Sequence, residues 1–405
     1  MFKAAHVVRR FSFAEWGGTE NVVWNSVRKQ NELGIKAEIF STSALDVPGG
    51  ELRENVSIRR FPYRYPCFPM DRGCRLMLDK KGGNPWCPEL FDALRNGNFD
   101  LIHVHCAGRL ARDSVSVARE RGIPCVATLH GGYAAVPPSE IRQMMKPVRW
   151  KIHYGALLDR LFMRGGEPLE DMDAIICLSG EEQALLQKKF PGKKIYRLPN
   201  GVDMEQFNGN SLASIRHEWR IPPSRKIILC TARIDYQKNQ KILVELLRQT
   251  LDTHLVLIGP VTAQWYCAEI LNEVRASGLE DRFTLIPGLA PGDARLAAAY
   301  READFFILPS LHEPFGIAAL EAWAWGIPLI ASGTGGLKEI VKDGENGLLF
   351  SPGSFSELLD AWLKLRDTPG LKESLQRNGR AEVRKYEWDG IVRRQVEIYR
   401  ELCGK

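Results

Sequence analysis

Two glutamates, Glu313 and Glu321, stand in the stretch PSLHEPFGIAALEAWAWGIPLIASGTGGLKEI (309–340), where every other residue between Glu313 and Lys338 is uncharged. A carboxylate among apolar neighbours is costly unless something hydrogen-bonds to it. For Glu321 that partner is a sugar diol, an arginine or backbone amide from elsewhere in the chain, or water at an exposed helix end. A paired role as acid and base of glycoside hydrolysis fits poorly. Eight residues of continuous helix span about 12 Å at roughly 1.5 Å per residue, whereas hydrolase carboxylates sit roughly 5–9.5 Å apart. The spacing argues for two separate jobs.

Three further stretches carry chemistry. TARIDYQKNQ (231–240) supplies Arg233 and Lys238, which would neutralise a diphosphate or else form a solvated basic turn. EWGGTE (15–20) places Gly17 and Gly18 where backbone could approach a ligand, although a glycine pair also makes a plain tight turn. Neither G-x-G-x-x-G nor a phosphate-binding G-x-x-x-x-G-K-[ST] occurs. CVATLHGGY (125–133) ends with His130 before two glycines, either a substrate-positioning imidazole or a satisfied structural one. The acidic triplet DMD (171–173) precedes its strand instead of following it, so no metal site is expected.

The elements that must hold these residues follow a βαβ rhythm, twice over. Short apolar runs at 4–8, 37–42, 101–106, 125–130 and 174–179, then at 226–232, 254–259, 283–288, 305–310 and 328–332, suit strands covered on both faces. Helical patterns intervene, among them GGTENVVWNSVRKQNELG and EEQALLQKKF. Glu313 then lies in the loop at a strand's carboxyl end and Gly316 at a helix mouth, where open α/β sheets bind ligands and free amides favour a phosphate. By helical periodicity Glu321 shares an inward face with Ile317, Leu320 and Ala324. Pro199, Asn200 and Gly201 mark a seam, giving domains 1–199 and 200–385, with 386–405 as a terminal helix.

Composition narrows the class. With 405 residues, 44% hydrophobic and 26% charged, the chain reads as a soluble α/β protein of two domains. No apolar run reaches the roughly 18 residues needed to span a bilayer and no signal peptide is evident, so a cytoplasmic location is expected. Nine scattered cysteines lack zinc-type spacing and read as small core residues. A net charge of +6 without a basic tract does not suggest nucleic-acid binding. Residues 139–164 interleave six Lys/Arg with apolar side chains, which fits an amphipathic surface pair or a patch for anionic lipid or a lipid-linked acceptor.

Glu313 and Glu321 within HEPFGIAALE, together with RIDYQKNQ, LPNGVD, SGTGGLKEIVKDGENGLLF and GGTE, resemble the retaining glycosyltransferases of family 4. The resemblance runs through nearly the whole chain and is strongest over 197–350. It implies a GT-B architecture of two Rossmann-like domains facing across a cleft. It also implies transfer of a sugar from a nucleotide diphosphate sugar to a glycan or lipid-linked acceptor, with no cofactor and no metal. On this basis Arg233 and Lys238 would bind the diphosphate and Glu313 the sugar hydroxyls. Gly17 and Gly18 would approach the donor phosphate, the amides of Phe315, Gly316 and Ile317 would meet sugar or phosphate, and Glu321 would accept from the ribose. His130 would stand beside the sugar on the acceptor side. No residue identifies itself as a covalent nucleophile, so a front-face route through an oxocarbenium-like transition state is expected. The competing readings are a sugar-nucleotide epimerase of similar fold and a non-catalytic nucleotide-binding protein.

Overall fold

The computed structural model describes residues 2–80, 82–131, 150–155, 157, 159, 166–204, 213–290 and 292–404. The chain divides into two compact units, Met1–Pro199 with Trp388–Lys405, and Asn200–Glu387.

The first unit is built on an eight-stranded sheet of β1 (Lys3–Arg10), β2 (Lys36–Thr42), β3 (Gly49–Arg53), β4 (Val56–Phe61), β5 (Leu101–Val104), β6 (Cys125–Thr128), β7 (Ala174–Cys177) and β8 (Lys194–Arg197). Their order is β8-β7-β6-β5-β1-β2-β4-β3, all parallel except β3 against β4. The central strands are buried and, His6 of β1 and His103 of β5 apart, largely apolar, as strands covered on both faces are. The hairpin β3-β4 differs: β4 alternates buried and half-buried residues, with Arg59 and Phe61 on its half-buried face, and β3 is largely exposed at the sheet edge. Glu54 and Asn55, both at positive φ, make its tight turn. A strand that alternates in burial and carries charge on both faces, Arg59 half-buried and Arg60 buried, escapes a search for continuous apolar runs.

Helix α1 (Gly18–Glu32) lies against this sheet. The last helix of the chain, labelled α4 (Trp388–Leu402), returns to the same unit and packs on α1. Its buried stripe, Trp388, Ile391, Val392, Gln395, Val396 and Tyr399, has the spacing of a helix with one covered side. Gln395 and Tyr399 bring polar groups into that stripe, and both meet Gln30 of α1.

The second unit holds a six-stranded, all-parallel sheet of β9 (Lys226–Thr231), β10 (Thr253–Ile258), β11 (Phe283–Ile286), β12 (Phe305–Leu308), β13 (Leu329–Ser332) and β14 (Leu348–Phe350), in the order β11-β10-β9-β12-β13-β14. Helices α2 (Ala294–Glu302) and α3 (Ile317–Trp325) flank β12 in sequence. Both sheets are doubly wound. The chain moves outward from β1 in one direction and from β5 in the other, and likewise from β9 and β12. Crevices at the carboxyl ends of such strand pairs are where open α/β sheets bind ligands.

Seven of the nine cysteines are buried. Among the described residues no helix is long and apolar enough to cross a membrane.

Candidate functional site

In the second unit the two loops at the switch point carry the residues singled out by type and spacing. The loop after β9 holds Arg233 and Lys238, and the loop after β12 holds Glu313. The Gln237 carbonyl accepts from the Leu311 amide at 2.7 Å, which ties the loops together. The Lys238 ammonium donates to Glu313 Oε2 at 2.6 Å, with both side chains largely covered, and Ser310 Oγ adds a weaker contact at 3.4 Å. Among the described residues the Arg233 guanidinium is held by contacts of 3.4 Å to Asp235, Thr262 and Gln237. Bonds of that length are weak, so this half-exposed guanidinium can turn toward an anion at small cost.

Helix α3 opens at Gly316, whose backbone is left-handed at φ 102° with no side-chain cap. That conformation favours glycine, and a Cβ there would lie 2.5 Å from Leu337 Cδ2 and have to displace that side chain. An uncapped helix start leaves amides without intrahelical partners and carries a partial positive charge. Phe315 is buried with its ring 6.0 Å from that of Tyr386, so what it can offer a ligand is backbone. Ile317 is half-buried in the first turn. The segment SGTGG braces this mouth from behind. A Cβ on Gly335 would come within 2.2 Å of the Glu313 carbonyl, and Gly336 donates its amide to the same oxygen at 3.0 Å. Two backbones touch there, which only glycines allow.

Glu321 corrects the sequence reading in one respect. The fully covered residues of α3 are Ala319, Leu320, Ala322 and Trp323, while Ile317 and Ala324, placed with Glu321 on an inward face, are half-buried. Tight packing on neighbouring elements turns the large Trp323 inward and leaves the Glu321 side partly open. Its partner is the Tyr300 hydroxyl, which donates to Oε2 at 2.6 Å and in turn contacts Thr231 Oγ1 at 2.6 Å. Because the carboxylate only accepts, the tyrosine proton points at Glu321 and Thr231 donates to Tyr300. Burial pushes the Glu321 carboxyl up to about 6, and the tyrosine bond pulls the other way. Thr231 ends β9, so this network is anchored beside the loop of Arg233. Tyr300 lies in none of the sequence motifs, and Thr231, although it opens TARIDYQKNQ, was not singled out there.

In the first unit Gly17 caps α1 with extended backbone and no side-chain bond. The buried Glu20, at the third position of the helix, accepts from the Gly17 amide and pairs with Arg10 at 3.0 Å. The helix mouth offered by Gly17 and Gly18 is thus shared with a carboxylate of its own chain. His130 follows β6, and its Nε2 lies 2.8 Å from Nδ1 of His105, the residue after β5. Burial lowers the His130 pKa to about 4. The alternation HVH at the end of β5 was the available signal for this cluster, since a period of two places His103 and His105 on one side. Asp171 and Asp173 are structural: one pairs with Arg119 at 2.6 Å and the other accepts from the Cys125 amide at 2.7 Å. Most of segment 139–164 lies outside the described residues.

Two doubly wound units with ligand-type loops at their switch points define a GT-B glycosyltransferase class. The family described as "Glycosyltransferase Family 4" matches residues 16–206, and "Glycosyl transferases group 1" matches 213–382. The chain belongs to the family-4 type of glycosyltransferases. A D-inositol 3-phosphate glycosyltransferase of Actinosynnema mirum is 28% identical over 95% of this chain and 92% of its own length. An uncharacterized glycosyltransferase of Methanocaldococcus jannaschii is 29% identical over 53% of this chain, which spans 57% of that protein. Among solved structures, sucrose-phosphate synthase from Thermosynechococcus elongatus superposes with a TM-score of 0.76 at 22% identity, covering 100% of both chains. Anabaena HepE in complex with UDP-glucose does so with 0.73 at 16% identity, over 99% of this chain and 100% of that one. These likenesses extend the fold assignment over the full chain.

Proposed function

We propose that the protein transfers a sugar from a nucleotide diphosphate sugar to an acceptor hydroxyl with retention at the anomeric carbon, without a catalytic metal or resident cofactor. The observation that carries this reading is the convergence of Lys238, Arg233 and the uncapped start of α3 at the switch point between β9 and β12. Together they supply the positive charge that a departing diphosphate needs. Glu313 and Glu321 then divide the donor: Glu313, in the loop, accepts from hydroxyls of the transferred sugar, and Glu321, beside Tyr300, accepts from the ribose. Lys238 is released from Glu313 to the phosphate as donor hydroxyls replace it. The leaving phosphate deprotonates the acceptor on the same face, and the sugar passes through an oxocarbenium-like transition state. Mass-spectrometric capture of a glycosyl-enzyme adduct would overturn this front-face route.

The acceptor is a polyol, a glycan or a lipid-linked glycan. The relatives named for D-inositol 3-phosphate make a phosphorylated polyol the first acceptor to try. Exposed Trp150, Ile152 and Phe68, near Lys151, support peripheral contact with a lipid surface. Sedimentation with anionic vesicles tests that contact, and no pelleting would remove it.

A thermal-shift panel of UDP-, GDP- and ADP-sugars tests the donor reading. A ligand at about 100 times its dissociation constant adds roughly 2.7 kcal/mol of stability. A flat response to all donors would overturn the assignment. With the donor found, NMR of the product decides the anomeric outcome, and turnover unchanged by EDTA is expected.

A further inference from the structure

Three imidazoles of the first unit form one hydrogen-bonded row that ends at His130. Gln30 Oε1 lies 3.1 Å from His6 Nε2, His6 Nδ1 lies 2.9 Å from His105 Nε2, and His105 Nδ1 lies 2.8 Å from His130 Nε2. Adjacent rings are stacked with centroids 5.1 Å apart at each step. At the far end His130 Nδ1 is buried and has no partner among the described residues.

The row has a direction, set at the glutamine. The Gln30 side-chain amide nitrogen donates to Gln395 Oε1 at 2.8 Å and to Ser26 Oγ at 3.1 Å, while the Ser26 hydroxyl donates to Gln395 Oε1 at 2.6 Å. This turns the Gln30 oxygen, an acceptor only, toward His6. His6 must therefore carry its proton on Nε2 and present a lone pair at Nδ1. A neutral imidazole has one donor and one acceptor nitrogen, so the same assignment repeats at His105 and at His130. Burial keeps all three rings neutral. Gln30 cannot take up a proton, so the row does not conduct one away; it holds each ring in one tautomer. Nor is it open to a metal ion, although nitrogens of His6, His103 and His105 lie within 4.8 Å of one another. His103 is engaged on both sides, by Tyr399 and by Thr128, and the other nitrogens of the trio are taken by the row.

We propose that Gln30, His6 and His105 are positioning residues that fix His130 with its proton on Nε2, leaving Nδ1 as a permanent hydrogen-bond acceptor for a hydroxyl of the acceptor substrate. The identity of that hydroxyl rests on the glycosyl-transfer reading; the tautomer lock does not.

Nitrogen-15 NMR of histidine-labelled protein reads the tautomers directly in the free chain at neutral pH. His6, His105 and His130 should each show a protonated Nε2 and a bare Nδ1. Gln30→Leu should leave mixed tautomers at His130, and Gln30→Glu, whose carboxylate also only accepts, should restore the single form. A His130 protonated on Nδ1 in the native chain, or an unchanged His130 spectrum in Gln30→Leu, would overturn the lock. In turnover assays with the donor from the panel above, Gln30→Leu should raise the acceptor KM about tenfold, the scale of one neutral hydrogen bond, with donor thermal shift unchanged. An unchanged acceptor KM in Gln30→Leu and in His130→Phe would overturn the hydroxyl contact. Failure of every donor would sink the transfer reading alone, because the spectra stand without it.

Discussion

The Lys238 ammonium lies 2.6 Å from the Glu313 carboxylate, and so joins the loop after β9 to the loop after β12. Two groups assigned to different parts of a donor are thereby held by one another, each compensating the other's burial. Removing one alone strands a charge; removing both does not. Lys238→Met should cost about 3 kcal/mol of stability and the double change Lys238→Met with Glu313→Gln about 1, measured by urea unfolding. Equal losses in the two would show that the pair is not coupled. Turnover should fall at least about 100-fold in either single variant, since both are proposed to act at the transition state.

The half-buried Glu321 makes stability depend on pH in a defined direction. Its carboxyl is raised from 4.5 to about 6 on folding, so the folded state holds the proton more tightly than the unfolded chain. The contribution is therefore fully present below about 4.5 and is lost as pH rises through about 6, a difference of roughly 2 kcal/mol. Glu321→Gln should raise the melting temperature at pH 7.5 and give no gain at pH 4.5. Donor affinity should weaken in the same variant while kcat changes little, because the ionised carboxylate is proposed to hold the ribose. A fall in kcat at unchanged affinity would reverse the roles given to the two glutamates.

Tyr300 donates to Glu321 from a hydroxyl that Thr231 also contacts. Tyr300→Phe removes that donor and leaves the ionised carboxylate short of a partner. The expected loss is about 2 kcal/mol at pH 7.5, with donor binding weakened in parallel, as calorimetry would report. Unchanged donor affinity would show that this bond does not orient Glu321.

Gly335 stands at φ 48°, with space for a Cβ closed by the Glu313 carbonyl. Gly335→Ala should lower stability by at least about 2 kcal/mol and displace the Glu313 loop, because the obstructing atom is backbone and cannot rotate away. A crystal structure of the variant with that loop unmoved would contradict the bracing role.

The parallel strands and the type of loop that follows each one were legible in the residues alone. Strands buried on both faces are mostly apolar, and HEPFG and RIDYQKN punctuate such runs with charge and glycine. The residue pattern did not mark the hairpin β3-β4, whose half-exposed strands carry charge, nor the short edge strand β8. Which groups satisfy one another was set by packing between elements far apart in the chain. Glu321 finds Tyr300 twenty-one residues away, Lys238 finds Glu313 across seventy-five, and Gln30 is oriented by Gln395 from the far end of the chain. Burial is a property of one position and leaves its trace in local pattern. A hydrogen bond needs two atoms within about 3 Å in a set direction. Between distant residues, that is fixed only when the packed elements bring them together.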